Sequence, residues 1–204
     1  MAVPLAQGVI GPNAILQLVP VLERSGGPDM VRGLMEVAGL TTLPDGSEMI
    51  PEAQAHAMHR ALRTCYPDQA ATLAAEAGHR TAEYILAHRI PRPAQALLRA
   101  LPAPLAAPLL SRAISVHAWT FAGSGCFRAR SPWRFEITRN PVIAGEHSTA
   151  PLCSWHAAVF KGLYRALVAP DCHCEEIRCA AQGGSDTCTF AILRLPPRDQ
   201  RGGL

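Results

Sequence analysis

The chain has little that would link it to nucleic acid or to a membrane interior. Its 204 residues include 19 Lys and Arg against 16 Asp and Glu, for a formal net charge of +3. An excess this small does not indicate a nucleic-acid partner. The longest apolar stretch, residues 97–110, is interrupted by one arginine and three prolines. It falls short of the roughly 20 apolar residues that span a bilayer, so no membrane span is expected.

Secretion signals and redox-cofactor motifs are also lacking. The amino terminus has no basic segment before its apolar residues, so no secretory signal is predicted. Gly123-Ser-Gly125 lacks the third glycine of a dinucleotide fingerprint, and there is no phosphate-binding loop. Without a signal, the seven cysteines are expected to be thiols or metal ligands rather than disulfides. We therefore expect a cytoplasmic protein.

The first part of the chain is rich in alanine and leucine at helical spacing. This periodicity predicts a series of helices up to residue 116. They lie between Asn13 and a break at residues 25–28, then at 29–38, 51–65, 67–88, around 97–101, and from the prolines at 102–108 to Val116. Small residues in the fourth helix, from Ala70 to Gly78, should allow a close approach to another helix.

At His117 the pattern changes to β-branched and aromatic residues with glycine turns, which favours strands. We expect Trp119–Phe121 and Cys126–Phe127 to form a hairpin-like pair, followed by a half-buried strand at 133–138. A helix at 153–168 and strands at 174–180 and 187–193 complete the pattern. The predicted fold class is α+β, an antiparallel sheet with one packed helix after a helical segment. Regions 1–116 and 117–195 should form one compact domain, with 196–204 as a flexible tail.

Five of the seven cysteines lie between Cys153 and Cys188. Thiolates and a carboxylate from a helix start and two neighbouring extended segments are typical of a tetrahedral zinc site. Cysteine also buries well as a small hydrophobic residue. Their concentration around a Gly-Gly turn favours the metal site.

Several of these segments together resemble the vinyl-4-reductase domain family. They are residues 117–125 (His-Ala-Trp-Thr-Phe-Ala-Gly-Ser-Gly), Asn140-Pro141, a cysteine that opens a helix, Glu176-x-x-Cys179, and Cys188-Thr-Phe190. With the N-terminal helices included, the resemblance is to members that act in bacteriochlorophyll biosynthesis. It implies a fold similar to the ligand-binding domains of nitric-oxide-signalling haem proteins and of Golgi-transport proteins. It also implies an apolar ligand and a zinc bound by three cysteines and a glutamate.

The implied zinc ligands in this sequence are Cys153, Glu176, Cys179 and Cys188. Glu175 competes with Glu176 as the carboxylate, and the family pattern does not require the thiols at positions 172 and 174. Because residues three apart point to opposite faces of a regular strand, one metal can bind Glu176 and Cys179 only if the backbone is irregular near residues 177–178. A site with four protein ligands would be structural rather than catalytic.

The ligand implied by the resemblance is a magnesium tetrapyrrole, which needs an apolar slot, an axial donor and arginines for its carboxylates. His117 is the preferred axial donor because it stands beside Trp119 and Phe121; His147 and His156 are alternatives. Arg128 is the preferred carboxylate partner, with Arg130 and Arg134 close by in the sequence. Ordinary packing and solvated surface positions are the competing interpretations of these side chains.

Three functions remain open from the sequence. The chain could bind a divinyl tetrapyrrole intermediate and assist its reduction or hand-over to other biosynthetic enzymes. It could be a true 4-vinyl reductase that uses an external electron donor, although no dinucleotide motif is visible. It could also be a small-molecule-sensing or scaffold module with a structural zinc. The apolar helical half could serve as a homodimer face.

Overall fold

The structure is a computed structural model that describes residues 8–195, so the tail expected at 196–204 lies outside the described residues. The helices are α1 (Asn13–Leu16), α2 (Val19–Ala38), α3 (Glu52–Cys65), α4 (Pro67–His88), α5 (Arg92–Ala100), α6 (Ala103–Val116), α7 (Trp119–Ala122) and α8 (Ser154–Leu167). The strands are β1 (Val9–Ile10), β2 (Ile50–Pro51), β3 (Cys126–Ser131), β4 (Arg134–Thr138), β5 (Cys172–Arg178) and β6 (Thr187–Arg194). In the described part of the chain, no helix combines the length and apolar character needed to cross a bilayer.

The helical first part follows the predicted pattern closely. The break predicted at residues 25–28 is a kink within α2 at Gly27, whose φ of 73° is not helical. Gly39 ends the same helix in the left-handed conformation that glycine adopts readily. Prolines at the second position of α2 and the first position of α4 leave no amide unsatisfied, because the first amides of a helix have no partner within it. Local signals therefore determine most of these boundaries.

Helices α4 and α8 pack against each other at very short range. A Cβ placed on Gly78 would lie 2.3 Å from the Trp155 carbonyl oxygen and 2.7 Å from the Ala158 Cβ. A Cβ placed on Gly162 would lie 2.6 Å from the Ala82 Cβ. The small residues predicted to permit a close helix approach do so here, and α8 thereby joins the helical half to the sheet.

The sheet is antiparallel, with strand order β3-β4-β6-β5. Its inner face packs against α8 through aromatic rings: Phe135 and Phe190 lie 5.1 Å and 5.3 Å, centroid to centroid, from Phe160. Tyr164, one turn further along α8, is also fully buried. This layer of sheet and helix after a helical segment confirms the α+β prediction.

The predicted strand at Trp119–Phe121 is wrong. These residues form the short helix α7, in which the Ala122 amide donates to the Ala118 carbonyl at 2.8 Å. The Gly11 amide donates to the Thr120 carbonyl at 2.7 Å, so a contact with a distant segment stabilises this turn. The pairing of β1 with β2, which contains only two residues from each strand, is not predicted from the sequence.

Candidate metal centre

Four potential ligands meet at one end of the sheet. The Sγ atoms of Cys153, Cys179 and Cys188 and a carboxylate oxygen of Glu176 all lie within 4.8 Å of one another. Cys153 immediately precedes α8, Glu176 belongs to β5, Cys179 follows β5, and Cys188 belongs to β6. The cluster therefore connects the start of the packed helix with two neighbouring strands.

An irregularity in β5 allows Glu176 and Cys179 to face the same point. Glu176 pairs with Phe190, but Arg178 pairs with Thr189, so the register shifts between them. A shift of this kind is a β-bulge, which changes the direction of the following side chains. The irregular backbone predicted near residues 177–178 is present. Without it, the carboxylate and the thiol would point to opposite faces of the sheet.

Hydrogen-bond donors surround the three sulfur atoms. The Leu152 amide donates to the Cys179 Sγ at 3.4 Å, and the Ala180 amide donates to the Cys188 Sγ at 3.4 Å. The Asn140 side-chain amide donates to the Cys153 Sγ at 3.3 Å. Donors aimed at sulfur stabilise the thiolate form, which is the form that binds metals.

Burial places four acidic groups in a confined space, and their protonation equilibria shift accordingly. Burial raises the pKa of the Cys153 thiol well above its usual value, and it raises the pKa of the Glu176 carboxyl to about 8. Hydrogen bonds from the Cys153 and Cys188 thiols lower the pKa of Cys179. A single thiolate is therefore favoured in the metal-free cluster. A divalent cation would allow the other groups to ionise as well, because it offsets their mutual repulsion.

The chemistry of the donor set fits zinc. The Cys153 amide donates to Glu176 Oε2 at 2.7 Å, which orients the carboxylate. The other carboxylate oxygen, Oε1, is buried and has no hydrogen-bond partner among the described residues. Three sulfur atoms and one oxygen in a buried cluster form the four-coordinate set that zinc prefers, whereas calcium and magnesium prefer oxygen ligands.

The structure distinguishes Glu176 from its neighbour and separates the cluster from the other thiols. Glu175 is exposed, whereas Glu176 lies at the cluster. Cys172 and Cys174 are buried further along β5, opposite Arg194 and Ile192 of β6, and do not belong to the cluster. Sequence reasoning left the choice of carboxylate open, because adjacent glutamates differ only in the face of the strand that they occupy.

Two polar side chains that support the cluster were not predicted as site residues. Besides its contact with Cys153, Asn140 accepts from the Val142 amide through Oδ1 at 3.1 Å. Gln182 accepts from the Cys179 amide at 3.0 Å and donates to the Thr149 carbonyl at 3.1 Å. Asparagine before proline is a signal for the start of a helical turn. That signal is visible in the sequence, but its link to a distant cysteine is not.

The predicted ligand-binding residues lie at the junction of α6, α7 and β3. His117, Trp119 and Arg128 are exposed, whereas the Phe121 ring is half-buried and packs edge-on against Phe127 at 5.3 Å. Helices α6 and α7 both contact β3, so these side chains belong to one region of the surface. Of the two alternative histidines, His147 is exposed and His156 is buried.

His156 is unsuitable as a surface donor. Its Nε2 lies 3.2 Å from the Phe121 carbonyl, and burial lowers its pKa to about 4.

The Gly123-Ser-Gly125 loop binds a carboxylate within the protein. The Ser124 amide and hydroxyl donate to the Glu52 carboxylate at 2.9 Å and 2.8 Å. Gly123 has a φ of 55°, and a Cβ at this position would lie 2.6 Å from the same carboxylate. The loop donors that could bind a phosphate are therefore engaged by the start of α3.

Comparisons with known proteins agree with this architecture. The profile of the vinyl-4-reductase domain matches residues 133–194, which include all four cluster residues. Among solved structures, an H-NOX protein from S. oneidensis superposes with a TM-score of 0.59 at 9% identity, covering 92% of this chain and 100% of that one. An H-NOX family protein solved to probe heme distortion superposes with a TM-score of 0.56 at 9% identity, covering 96% and 100%. The likeness confirms the predicted fold.

Curated relatives are much closer in sequence. A bacteriochlorophyll synthase 23 kDa chain from Cereibacter sphaeroides is 52% identical over 186 residues, which cover 90% of both chains. A protein of the same description from Rhodobacter capsulatus is 46% identical over 185 residues, covering 90% of this chain and 86% of that one. At this identity and coverage, the chain belongs to the family of bacteriochlorophyll synthase 23 kDa chains, and it contains a vinyl-4-reductase domain.

Proposed function

We propose that this chain acts in bacteriochlorophyll biosynthesis, where it binds a divinyl magnesium tetrapyrrole and presents it for reduction or hand-over. The observation that carries the proposal is the 52% identity, over nine-tenths of both chains, to a bacteriochlorophyll synthase 23 kDa chain. The fold adds support, because solved proteins of similar fold are described with a heme, which is also a tetrapyrrole. The partners implied are the other enzymes of the same pathway.

The geometry of His117 is suited to an axial ligand. Its Nδ1 lies 2.9 Å from the Ala113 carbonyl oxygen, which can only accept, so Nδ1 carries the proton. The second nitrogen, Nε2, then has a free lone pair on an exposed ring. Histidines that bind metals are typically held in this way, with one ring nitrogen donating to a carbonyl while the other faces the metal. A magnesium at the centre of the tetrapyrrole would be its partner.

The surroundings of His117 would complete a shallow site. Trp119 is 55% exposed and can stack against a flat macrocycle. Arg128 on the edge strand β3 can pair with a carboxylate of the pigment. Phe121 faces inward, at 5.6 Å from the Phe160 ring, so it holds α7 against the core rather than touching the ligand.

Zinc would have a structural role in this proposal. Cys153, Glu176, Cys179 and Cys188 would hold it with four protein ligands, which leaves no open position for substrate. The ion would tie the start of α8 to strands β5 and β6. Its role would be to stabilise the half of the molecule that carries the ligand surface.

A true 4-vinyl reductase is the second candidate, favoured by the match to the vinyl-4-reductase domain. In that case an external donor would supply the two electrons, because the loop at Gly123-Ser-Gly125 is engaged by Glu52 and offers no dinucleotide site. The two candidates share the binding step and differ only in whether the vinyl group is reduced on this chain. One experiment can therefore separate them.

The test is a titration of the purified, zinc-replete chain with divinyl chlorophyllide, followed by absorption spectroscopy, with a reduced nicotinamide added afterwards. We expect a saturable spectral shift without conversion to the monovinyl product. Conversion on adding the donor would instead identify a reductase. Absence of any shift would refute tetrapyrrole binding.

A matched pair of variants locates the site. His117→Ala should weaken binding at least tenfold and change the absorption of the bound pigment, because the axial ligand is lost. His147→Ala removes an equally exposed histidine that lies on another segment, and should leave both unchanged. Equal effects of the two substitutions would contradict the assignment of His117.

A further inference from the structure

One long segment of this chain has no acidic residue. Residues 84–135 contain seven arginines and neither aspartate nor glutamate, whereas the rest of the chain has 12 basic and 16 acidic residues. The mild overall charge therefore conceals a strongly asymmetric distribution. The segment comprises the end of α4, then α5, α6, α7 and β3.

The same segment exposes an unusual share of the large apolar side chains. Ten such side chains are exposed in the described part of the chain, and five of them lie in these elements. They are Leu97, Leu105, Leu109, Val116 and Trp119. Exposed apolar residues that occur singly are normal on protein surfaces, but a contiguous group marks an interaction surface.

The outer face of α6 shows the pattern most clearly. Positions 105, 109, 112 and 116 follow the spacing that places residues on one line along a helix. They are Leu, Leu, Arg and Val, and all are exposed. The opposite face is buried, with Ala106, Leu110 and Ile114 in the core. The helix is thus apolar on both faces, and Arg112 is its only charged residue.

Packing gives α5 and α6 a common outward direction. The two helices contact each other, and both contact α8. Their exposed faces are therefore turned away from α8 together. Trp119 follows directly in α7, and β3 lies beside α6 and α7 at the edge of the sheet. We name this surface, formed by the exposed side chains of α5, α6, α7 and β3, the basic apolar face.

Most of the arginines on this face are available to a partner. Arg92, Arg112 and Arg128 form no salt bridge or side-chain hydrogen bond with any residue that the structure describes. Arg130 pairs with Glu136 at 2.6 Å, and Arg99 donates to the Ala166 carbonyl of α8 at 3.1 Å. A partner with negative charge above an apolar layer would complement the three free guanidinium groups and the exposed side chains together.

We infer that the basic apolar face binds the surface of a bilayer that contains anionic lipids. Leucine and valine side chains would enter the boundary between headgroups and acyl chains, as in amphipathic helices that lie in the interface. Tryptophan is enriched at that depth, and arginines are attracted by anionic headgroups. The inference uses no pigment and does not depend on the proposed function.

The test is co-sedimentation of the zinc-replete, pigment-free chain with vesicles. Vesicles of phosphatidylcholine mixed with phosphatidylglycerol should bind the chain, and vesicles of phosphatidylcholine alone should bind it more weakly. High salt should reduce the difference, because it screens the charges. Arg112→Gln should lower the partition coefficient about fivefold, and Val116→Gln should lower it by a similar factor.

Two matched controls lie elsewhere on the molecule. Val37→Gln changes a valine of α2 that is 59% exposed, compared with 64% for Val116. Arg60→Gln removes an exposed arginine of α3. Both should leave vesicle binding unchanged, and all four variants should keep the wild-type melting temperature and zinc content. Equal binding to both kinds of vesicle, or equal effects of Val116→Gln and Val37→Gln, would overturn the inference.

Analytical ultracentrifugation provides the remaining arm of the test. A wild-type dimer that becomes monomeric in Val116→Gln would assign the face to a second copy of the chain and overturn the bilayer inference. A wild-type monomer that binds only anionic vesicles would support it. Pigment titration is a separate measurement, so failure here and failure of tetrapyrrole binding can be told apart.

Discussion

Removal of zinc from the four-residue cluster should lower the stability of the protein by several kcal/mol. A ligand present at 1,000 times its dissociation constant stabilises the folded state by about 4 kcal/mol. For a chain of this size, 1 kcal/mol changes the melting temperature by about 2–4 °C. Chelation should therefore lower the melting temperature by roughly 8–16 °C.

The structure explains why the loss should be cooperative. The cluster joins the start of α8 to β5 and β6, and α8 also packs against α4. Without the ion, three thiols and a carboxyl group remain within 4.8 Å of one another in a buried space. Burial disfavours their ionised forms, as the raised pKa of Cys153 shows. The sheet end should then open, and the helical half should lose part of its support.

The measurement combines metal analysis with scanning calorimetry before and after chelation. Cys179→Ser should lose stoichiometric zinc and show the lower melting temperature without chelator. Cys174→Ser changes a buried thiol in β5 outside the cluster, and it should retain one zinc per chain. The reasoning is refuted if the purified wild type contains no stoichiometric zinc, or if chelation leaves the melting temperature unchanged with all seven thiols open to alkylation.

Two further predictions concern the helical half. Gly78→Ala should destabilise the protein by about 1–3 kcal/mol in urea unfolding, because the added Cβ would lie 2.3 Å from the Trp155 carbonyl oxygen. Gly33→Ala, in open space within α2, should instead stabilise it by about 0.5–1 kcal/mol; equal effects would contradict the packing argument. Burial lowers the pKa of His59 to about 3 from 6.5, so the unfolded chain binds the proton first as the pH falls. Stability should therefore fall by about 1.4 kcal/mol per pH unit between pH 6.5 and 3, and His59→Leu should lack this part of the dependence.

Helix positions in the first part of the chain were predictable because their signals are local. The break before Pro28, the stop at Gly39 and the start at Pro67 all depend on backbone preferences of single residues. The bulge in β5 was also predictable, although indirectly. Once Glu176 and Cys179 were assigned to one metal, the period of a regular strand required an irregularity between them.

Other features depend on contacts between distant residues. Trp119–Phe121 has the composition of a strand, yet Gly11 binds the Thr120 carbonyl and the segment is helical. The glycine loop after it is occupied by Glu52, which lies 72 residues before Ser124 in the sequence. Neither partner can be read from the local sequence, because the contacts form only when the helical half folds against the sheet.

The sequence by itself determined the α+β class, the helix boundaries, and the group of cysteines with metal-binding chemistry. It did so through periodicity, glycine and proline signals, and residue types, which act within a few positions along the chain. The tertiary structure alone decided that Glu176 rather than Glu175 joins the cluster and that His117 holds its Nε2 toward solvent. It also brought the arginines and apolar side chains of residues 84–135 onto one face. These features depend on the direction of side chains after packing, and packing is set by contacts that no local signal encodes.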